Sequence, residues 1–277
     1  MRLRPLLSAV AVIAVVALLA PGPALRTAHA GGTVLDGQAA PELTLSDGLN
    51  GASAATNFAS LRGKVVCLKF WLTGCPVCRN TLPEFQRIQD RYGRSGVVCL
   101  GVVIDSADGV RPYLREAGWS FAVGCDPDGR NASRYGVHRY PADYVIGADG
   151  VVRASNGFPK DVIESELRKV RAAELGTVPA GLESVREAVE DGDYGEALRR
   201  GEAAAAAPGA SSDVKQFLVK LTGIARTRLD NRLARVDALK AAGKLVEAKA
   251  DAERIVADFK GTSLEAHARA RFEALSR

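Results

Sequence analysis

Hydrophobic residues in the first half of the chain form two short, nearly continuous runs. Val65–Trp71 (VVCLKFW) and residues 97–104 (VVCLGVVI) contain almost only apolar side chains. Such runs are typical of strands that are covered on both faces, as in the centre of a parallel sheet. Between them, residues 81–92 place Leu82, Phe85 and Ile88 at helical spacing, which predicts an intervening helix.

A second pattern follows residue 140. Residues 144–146 and 151–153 flank Gly147-Ala148-Asp149-Gly150, a sequence that favours the turn of an antiparallel hairpin. Residues 161–173 then predict a closing helix. The order strand, helix, strand, helix, two strands, helix predicts an α/β domain with a mixed central sheet flanked by helices.

The last hundred residues have the pattern of an all-α domain. Apolar residues recur at helical spacing from Val214 to Leu229 and from Leu245 to Phe259. The segments GDYGEA at 192–197 and GKLVEA at 243–248 are similar starts of helices. This part resembles degenerate tetratricopeptide-type helical hairpins, and a plain helical bundle is the equally favoured alternative.

The N-terminus has the pattern of a secretory signal. Arg2 and Arg4 precede an uncharged run at residues 6–20, and Ala28-His29-Ala30 matches a cleavage site. An uncleaved N-terminal anchor is the alternative. We therefore predict a signal peptide at residues 1–30, cleaved after Ala30, an α/β domain at 31–173 and a helical domain at 174–277. The mature chain is expected to face an oxidising, extracytoplasmic compartment such as the periplasm.

Charge and composition argue against nucleic acid as a partner. The formal net charge is +5, and removal of Arg2, Arg4 and Arg26 with the signal leaves +2. Aromatic residues make up 6% of the chain and do not alternate with a basic stripe.

The candidate chemistry lies in Cys75-Pro76-Val77-Cys78, directly after the first predicted strand. A cysteine at the first turn of a helix meets unpaired backbone N–H groups, which stabilise a thiolate, and a second cysteine three residues on can resolve a mixed disulfide. A structural disulfide would close too small a loop to stabilise much. A zinc site would need further Cys or His ligands, so we expect neither a metal nor a cofactor.

The surrounding motifs carry a family resemblance. They are GQAAPELTL at 37–45, LRGK at 61–64, FWLTGCPVC at 70–78, CDPDG at 125–129 and YGVHRYP at 135–141. Together they resemble the exported thioredoxin-like family that contains TlpA and ResA, over about residues 36–172. The resemblance implies a thioredoxin-like fold and thiol-disulfide exchange with Cys75 and Cys78 as the catalytic pair.

The resemblance also implies a substrate-binding role for three residues. Pro141 matches the family's cis proline, the backbone of Tyr140 would pair with substrate, and Trp71 would pack beside the site. The sequence departs from the family at the residue before the first cysteine, which is Gly74 instead of an aromatic. It departs again at Lys69, where thioredoxin has a buried acid, and at Thr81, where cytochrome c maturation members carry an acid.

The predicted function is that of an exported thiol-disulfide oxidoreductase acting on protein thiols and disulfides with an unidentified redox partner. The helical domain is a candidate site for a further protein partner. Two alternatives stay open: a redox-inactive adaptor acting through that domain, and a peroxiredoxin-like peroxidase. Leu72 argues against the peroxidase, because the peroxidatic motif has threonine at that position. Of the other cysteines, Cys67 and Cys99 are expected to be free in the core. Cys125 is expected at a strand end, where its exposure stays open.

Overall fold

The computed structural model describes residues 33–53 and 56–276 of the chain. The predicted signal peptide lies outside these residues. The strands are β1 Asp47–Leu49, β2 Val65–Trp71, β3 Val97–Val103, β4 Ala122–Cys125, β5 Ala142–Ile146 and β6 Val152–Ser155. The helices are α1 Phe58–Leu61, α2 Pro76–Tyr92, α3 Ala107–Ala117, α4 Arg130–Arg134, α5 Lys160–Leu175, α6 Glu183–Asp191, α7 Tyr194–Ala206, α8 Ser212–Ala241, α9 Leu245–Asp258 and α10 Glu265–Ser276.

The six strands form one mixed sheet in the order β1-β4-β3-β2-β5-β6. Its centre is parallel, with β3 between β2 and β4, while β1, β5 and β6 pair antiparallel to their neighbours. One apolar cluster packs against each face of the sheet. The mixed α/β sandwich predicted from the apolar runs is confirmed. It is a thioredoxin-like fold.

The structure gives bounds to the second helix of the predicted order, moves the start of the first helix and adds two short strands. α3 begins at Ser106, whose side chain accepts a hydrogen bond from the Gly109 N–H, and ends at Gly118 in the left-handed conformation. α2 begins five residues before the predicted helix, because Cys75 caps it and Pro76 occupies its first turn. The short strands β1 and β4 complete the sheet on the side of β3.

The helices after residue 175 enclose a separate apolar cluster. Phe217, Leu221 and Leu229 of α8 pack there with Ile255 and Phe259 from the α9 region. Successive helices turn at glycines with left-handed backbone, of which two match the predicted helix starts: Gly192 (φ +82°) before α7 and Gly243 (φ +74°) before α9. Leu245, the first residue of the second apolar pattern, does not join the cluster. Its side chain is 62% exposed, because it stands at the very start of α9.

Helix α5 joins the two parts of the molecule. Ile163 and Leu167 pack under the sheet, whereas Leu175 at the end of α5 belongs to the helical cluster. Polar contacts also cross the junction, among them a hydrogen bond of 2.9 Å from Arg94 to the Asn231 carbonyl oxygen. Within residues 33–53 and 56–276, the helices include none with the length and apolar character needed to traverse a bilayer.

Candidate active site

The two cysteines of the CxxC motif form a disulfide at the N-terminus of α2. Their Cα atoms are 5.2 Å apart. Cys75 is the N-cap residue, and the backbone N–H of Cys78 donates a hydrogen bond of 3.1 Å to its sulfur. The same N–H group and the positive end of the helix would stabilise a thiolate on Cys75 after reduction.

Exposure separates the roles that the two sulfurs can play. Cys75 is partly exposed, whereas Cys78 is completely buried. Val77 between them is 58% exposed and forms an apolar part of the rim. A bulky substrate disulfide can therefore approach Cys75 but not Cys78.

The loop before β5 lies next to Cys75. The Tyr140–Pro141 peptide bond is cis, and the Tyr140 carbonyl oxygen lies 3.8 Å from the Cys75 sulfur. Tyr140 and Pro141 are both partly exposed. A backbone acceptor thus lies next to the sulfur that a substrate chain would reach.

Two side chains hold the turn between β2 and α2. The Asp105 carboxylate accepts a hydrogen bond of 2.8 Å from the Thr73 N–H. Arg79 donates a bond of 3.1 Å to the Thr73 carbonyl oxygen, and its guanidinium group lies over the Tyr113 ring. Neither Asp105 nor Arg79 stood out in the sequence. Asp105 follows β3, and the pairing of β3 with β2 brings it to Thr73, while the contact of Arg79 depends on how the turn folds against the first turn of α2. Gly74 at the tip is exposed, and a Cβ there would contact only Leu72, at 3.7 Å.

A buried ion pair lies beneath the first turns of α2. Lys69 is 1% exposed, and its ammonium nitrogen is 2.6 Å from a carboxylate oxygen of Asp143. The two residues are register partners on β2 and β5. Burial raises the pKa of the Asp143 carboxyl above its ordinary value, and the attraction of Lys69 opposes this rise without cancelling it. The sequence analysis noted Lys69 but missed Asp143.

Trp71 does not fit the predicted substrate-binding role. Its side chain is completely buried, because β2 is central in the sheet and the ring packs against Tyr113 and Phe121. Trp71 therefore supports the site from behind and has no surface to offer a substrate.

The remaining cysteines are buried thiols. The prediction that Cys67 and Cys99 are free and lie in the core is confirmed. Cys125 lies at the end of β4, as predicted, but it is completely buried, because it pairs with β1 and packs in an apolar cluster against the sheet. Burial raises the pKa of both the Cys99 and the Cys125 thiols, so these groups stay protonated and unreactive.

The described part of the chain contains no group of three or more Cys, His, Asp or Glu side chains suited to a metal ion. His138, three residues before Pro141, is exposed.

The fold and the site define a thioredoxin-like protein with a disulfide-bonded CxxC pair at the start of α2. The family model described as the AhpC/TSA family matches residues 37–155. The thioredoxin-like protein YneN of Bacillus subtilis is 32% identical over 124 residues, which cover 43% of this chain and 70% of YneN. The thiol-disulfide oxidoreductase ResA of Bacillus thuringiensis is 28% identical over 137 residues, covering 48% of this chain and 78% of ResA.

A solved thioredoxin domain from a thiol-disulfide oxidoreductase of Bacteroides vulgatus is 21% identical, covers 49% of this chain and 97% of its own, and superposes with a TM-score of 0.42. The chain belongs to the family of thioredoxin-like proteins that includes YneN, and it is a thiol-disulfide oxidoreductase.

Proposed function

We propose that this protein is an exported enzyme that exchanges its Cys75–Cys78 dithiol with the disulfides of protein substrates. The observation that carries the proposal is the asymmetry of the pair: Cys75 is accessible and caps α2, while Cys78 is completely buried behind it. The Tyr140 carbonyl oxygen, 3.8 Å from the Cys75 sulfur, supports a role for Tyr140 and Pro141 in holding an extended substrate chain.

The proposed exchange proceeds in two displacements. The Cys75 thiolate attacks one sulfur of a substrate disulfide, and the other substrate sulfur leaves with the bonding electron pair and takes up a proton. Cys78 then loses its proton and attacks the Cys75 sulfur, which closes the enzyme disulfide and releases the second substrate thiol. Two electrons pass from the enzyme dithiol to the substrate, and the reverse sequence oxidises a substrate dithiol.

The peroxidase alternative has less support, although the matching family is named for AhpC/TSA. The position three residues before Cys75 holds Leu72, which has no hydroxyl group to orient a peroxide. A partner cysteine only three residues away also offers a disulfide ready for exchange. Consumption of hydrogen peroxide by the reduced protein at a rate above that of its insulin reduction would favour the peroxidase.

Variants of the two cysteines test the exchange. We expect Cys75→Ser to abolish the reduction of insulin disulfides, because the exposed nucleophile is lost. Cys78→Ser should instead accumulate mixed disulfides through Cys75, and their identification from cells would name the substrates. Alkylation of the reduced protein at mildly acidic pH should label Cys75 first. Preferential labelling of Cys78, or activity retained in Cys75→Ser, would contradict the assignment.

We also propose export with cleavage after Ala30, on the basis of the positive, apolar and Ala-x-Ala segments of the N-terminus. N-terminal sequencing of the exported protein should begin at Gly31. A mature protein that still contains residues 6–20 would indicate an anchor.

For the helical part, we propose a separate domain from about residue 174 that contacts a further protein. Three large apolar side chains are exposed on it: Val219, Leu245 and Val246 at 75%, 62% and 86%. In the Cys78→Ser background, the double change Leu245→Asp and Val246→Asp should reduce trapping of protein partners in cells. With both cysteines present, the same double change should leave insulin reduction unchanged. Equal trapping of the same partners would argue that these side chains bind none of them.

A further inference from the structure

Lys69 occupies an unusual place for a lysine. It lies in the middle of β2, between Cys67 and Trp71 on the sheet face that α2 covers, and it is 1% exposed. Lysine can usually extend its charged end to water from such a position. Here the ammonium group stays inside, so the fold must compensate a full charge in the core.

Contacts with a carboxylate and two aromatic rings compensate the charge of Lys69. The Lys69 ammonium is 2.6 Å from Asp143, lies 5.3 Å from the centre of the Phe158 ring and 5.7 Å from that of Phe85. The two rings stack on each other at 5.2 Å. Their faces attract the cation and block its way to solvent. The position of the charge is therefore set by the fold.

The same ammonium reaches the turn of α2 that carries the buried cysteine. Its nitrogen is 3.4 Å from the Thr81 hydroxyl oxygen, and that hydroxyl donates a bond of 3.0 Å to the Cys78 carbonyl oxygen. These two contacts keep the positive charge within about 6.4 Å of the Cys78 backbone. Asp143, on the other side, is two residues beyond Pro141. The ion pair thus joins the helix turn of Cys78 to the strand that follows the Tyr140–Pro141 loop.

The other described charges around Lys69 are few. From β5 the ion partner Asp143 faces it, from α2 the exposed Glu84 acts on that carboxylate, and β3 opposes Lys69 with Gly101. The positive end of the pair is the one turned toward Cys78 through Thr81.

We propose that Lys69, held in place by Asp143, is a positioning residue for the resolving step and stabilises the negative charge that develops on Cys78. This inference rests on the proposed exchange function. In that step Cys78 gives up its proton, its sulfur bonds to the Cys75 sulfur, and the substrate sulfur leaves with the electron pair and takes a proton. A buried thiolate is unfavourable without a nearby cation, and Lys69 supplies that cation where water cannot reach.

Charge variants of the pair test the proposal in the full chain. Lys69→Met removes the charge and keeps the length of the side chain, and Lys69→Met with Asp143→Asn leaves a neutral pair of similar shape. Lys69→Arg retains the charge, and Lys64→Met, an exposed lysine just before β2, is the matched control. Two quantities are measured: the pH midpoint of Cys78 alkylation in the Cys75→Ser background, and the rate at which a mixed disulfide on Cys75 is resolved after rapid mixing.

We expect Lys69→Met and the neutral pair to move the alkylation midpoint to higher pH and to slow resolution at pH 7 by at least about tenfold. A lone unit charge some 6–7 Å away would change the thiolate fraction by roughly 50- to 100-fold at a protein dielectric of about 20, and the counter-charge of Asp143 offsets part of this effect. Lys69→Arg should restore much of the rate, and Lys64→Met should match the unaltered protein. Asp143→Asn alone should move the midpoint to lower pH, because the cation then acts without its counter-charge.

A neutral pair that keeps the native tryptophan fluorescence and the unaltered midpoint would overturn the proposal. If the neutral pair fails to fold, the Asp143→Asn variant provides the test. A lower pH midpoint of Cys78 alkylation supports the proposal, and an unchanged or higher midpoint refutes it. The alkylation midpoint needs no turnover. A protein that fails to reduce insulin would therefore refute the exchange function and still allow the role of Lys69 to be measured.

Discussion

Replacement of Leu221 by alanine should destabilise the helical part of the molecule and leave the redox part intact. Leu221 is completely buried in the cluster formed by the helices after residue 175. Leu82 on α2 is the matched position, since it is equally buried in the cluster beneath the sheet. Comparison of the two variants therefore tests whether the two apolar clusters belong to separately folding units.

The structure sets the magnitude of the effect. A Leu-to-Ala change in a core costs about 2–5 kcal/mol, and more where neighbours cannot close the cavity. A Cβ placed on Gly201 would be only 3.0 Å from a methyl carbon of Leu221, so α7 and α8 are already in close contact and have little room to relax. We expect a loss of about 3 kcal/mol in the free energy of unfolding, which for a unit of about 100 residues lowers its Tm by roughly 12–24 °C.

Two spectroscopic probes distinguish the halves. Both tryptophans, Trp71 and Trp119, lie in the α/β part, so their fluorescence reports its unfolding alone. Circular dichroism at 222 nm reports the helices of the whole chain. In thermal or urea unfolding, Leu221→Ala should shift an early circular dichroism transition and leave the fluorescence midpoint unchanged, whereas Leu82→Ala should shift the fluorescence midpoint.

Apart from α5, which contributes residues to both apolar clusters, the junction includes polar surface contacts such as Arg94 with the Asn231 carbonyl oxygen and the exposed Arg168–Asp191 pair, and coupling across it is expected to be small. Such exposed pairs contribute about 0–1 kcal/mol each. If both probes shift together by the same amount in both variants, the chain unfolds as one unit and the proposed division near residue 174 is incorrect.

Three further changes have defined outcomes. In the native reduced protein at neutral pH, the three cysteines outside the CxxC motif should resist alkylation until urea is added, since burial raises the pKa of Cys99 and Cys125. Mass mapping that finds these cysteines labelled before unfolding would contradict this prediction. Gly74→Trp should fold normally, because a Cβ there would meet only Leu72, at an ordinary contact distance of 3.7 Å. It should slow the reduction of insulin at least severalfold while reaction with a small disulfide changes less; equal slowing of both would argue against a role in substrate access. Gly195→Ala should destabilise the helical part by about 1–3 kcal/mol, because its Cβ would overlap the Asp258 carbonyl group, and an unchanged circular dichroism transition would show that these helices can move apart.

Local sequence patterns were sufficient for the framework of the molecule. The continuous apolar run at β2 and the glycine-containing turn of the β5–β6 hairpin correspond to elements of the structure. The position of Cys75 at a helix start followed from the motif itself, since Pro76 suits a first turn and a preceding strand directs the chain there. Each of these features depends on residues within one or two turns of each other, so their physical cause is present in a short stretch of sequence.

Contacts between distant segments decided the rest. Lys69 and Asp143 are separated by 74 positions, and only the pairing of β5 with β2 brings them together. The burial of Trp71 and Cys125 likewise follows from the strands and helices that cover them, not from their own neighbours in sequence. Sequence alone thus identified the cysteine pair that forms the disulfide at the start of α2, because the motif is local. The charge beneath them and the surface left for a substrate depend on strand order and packing, which only the tertiary structure determines.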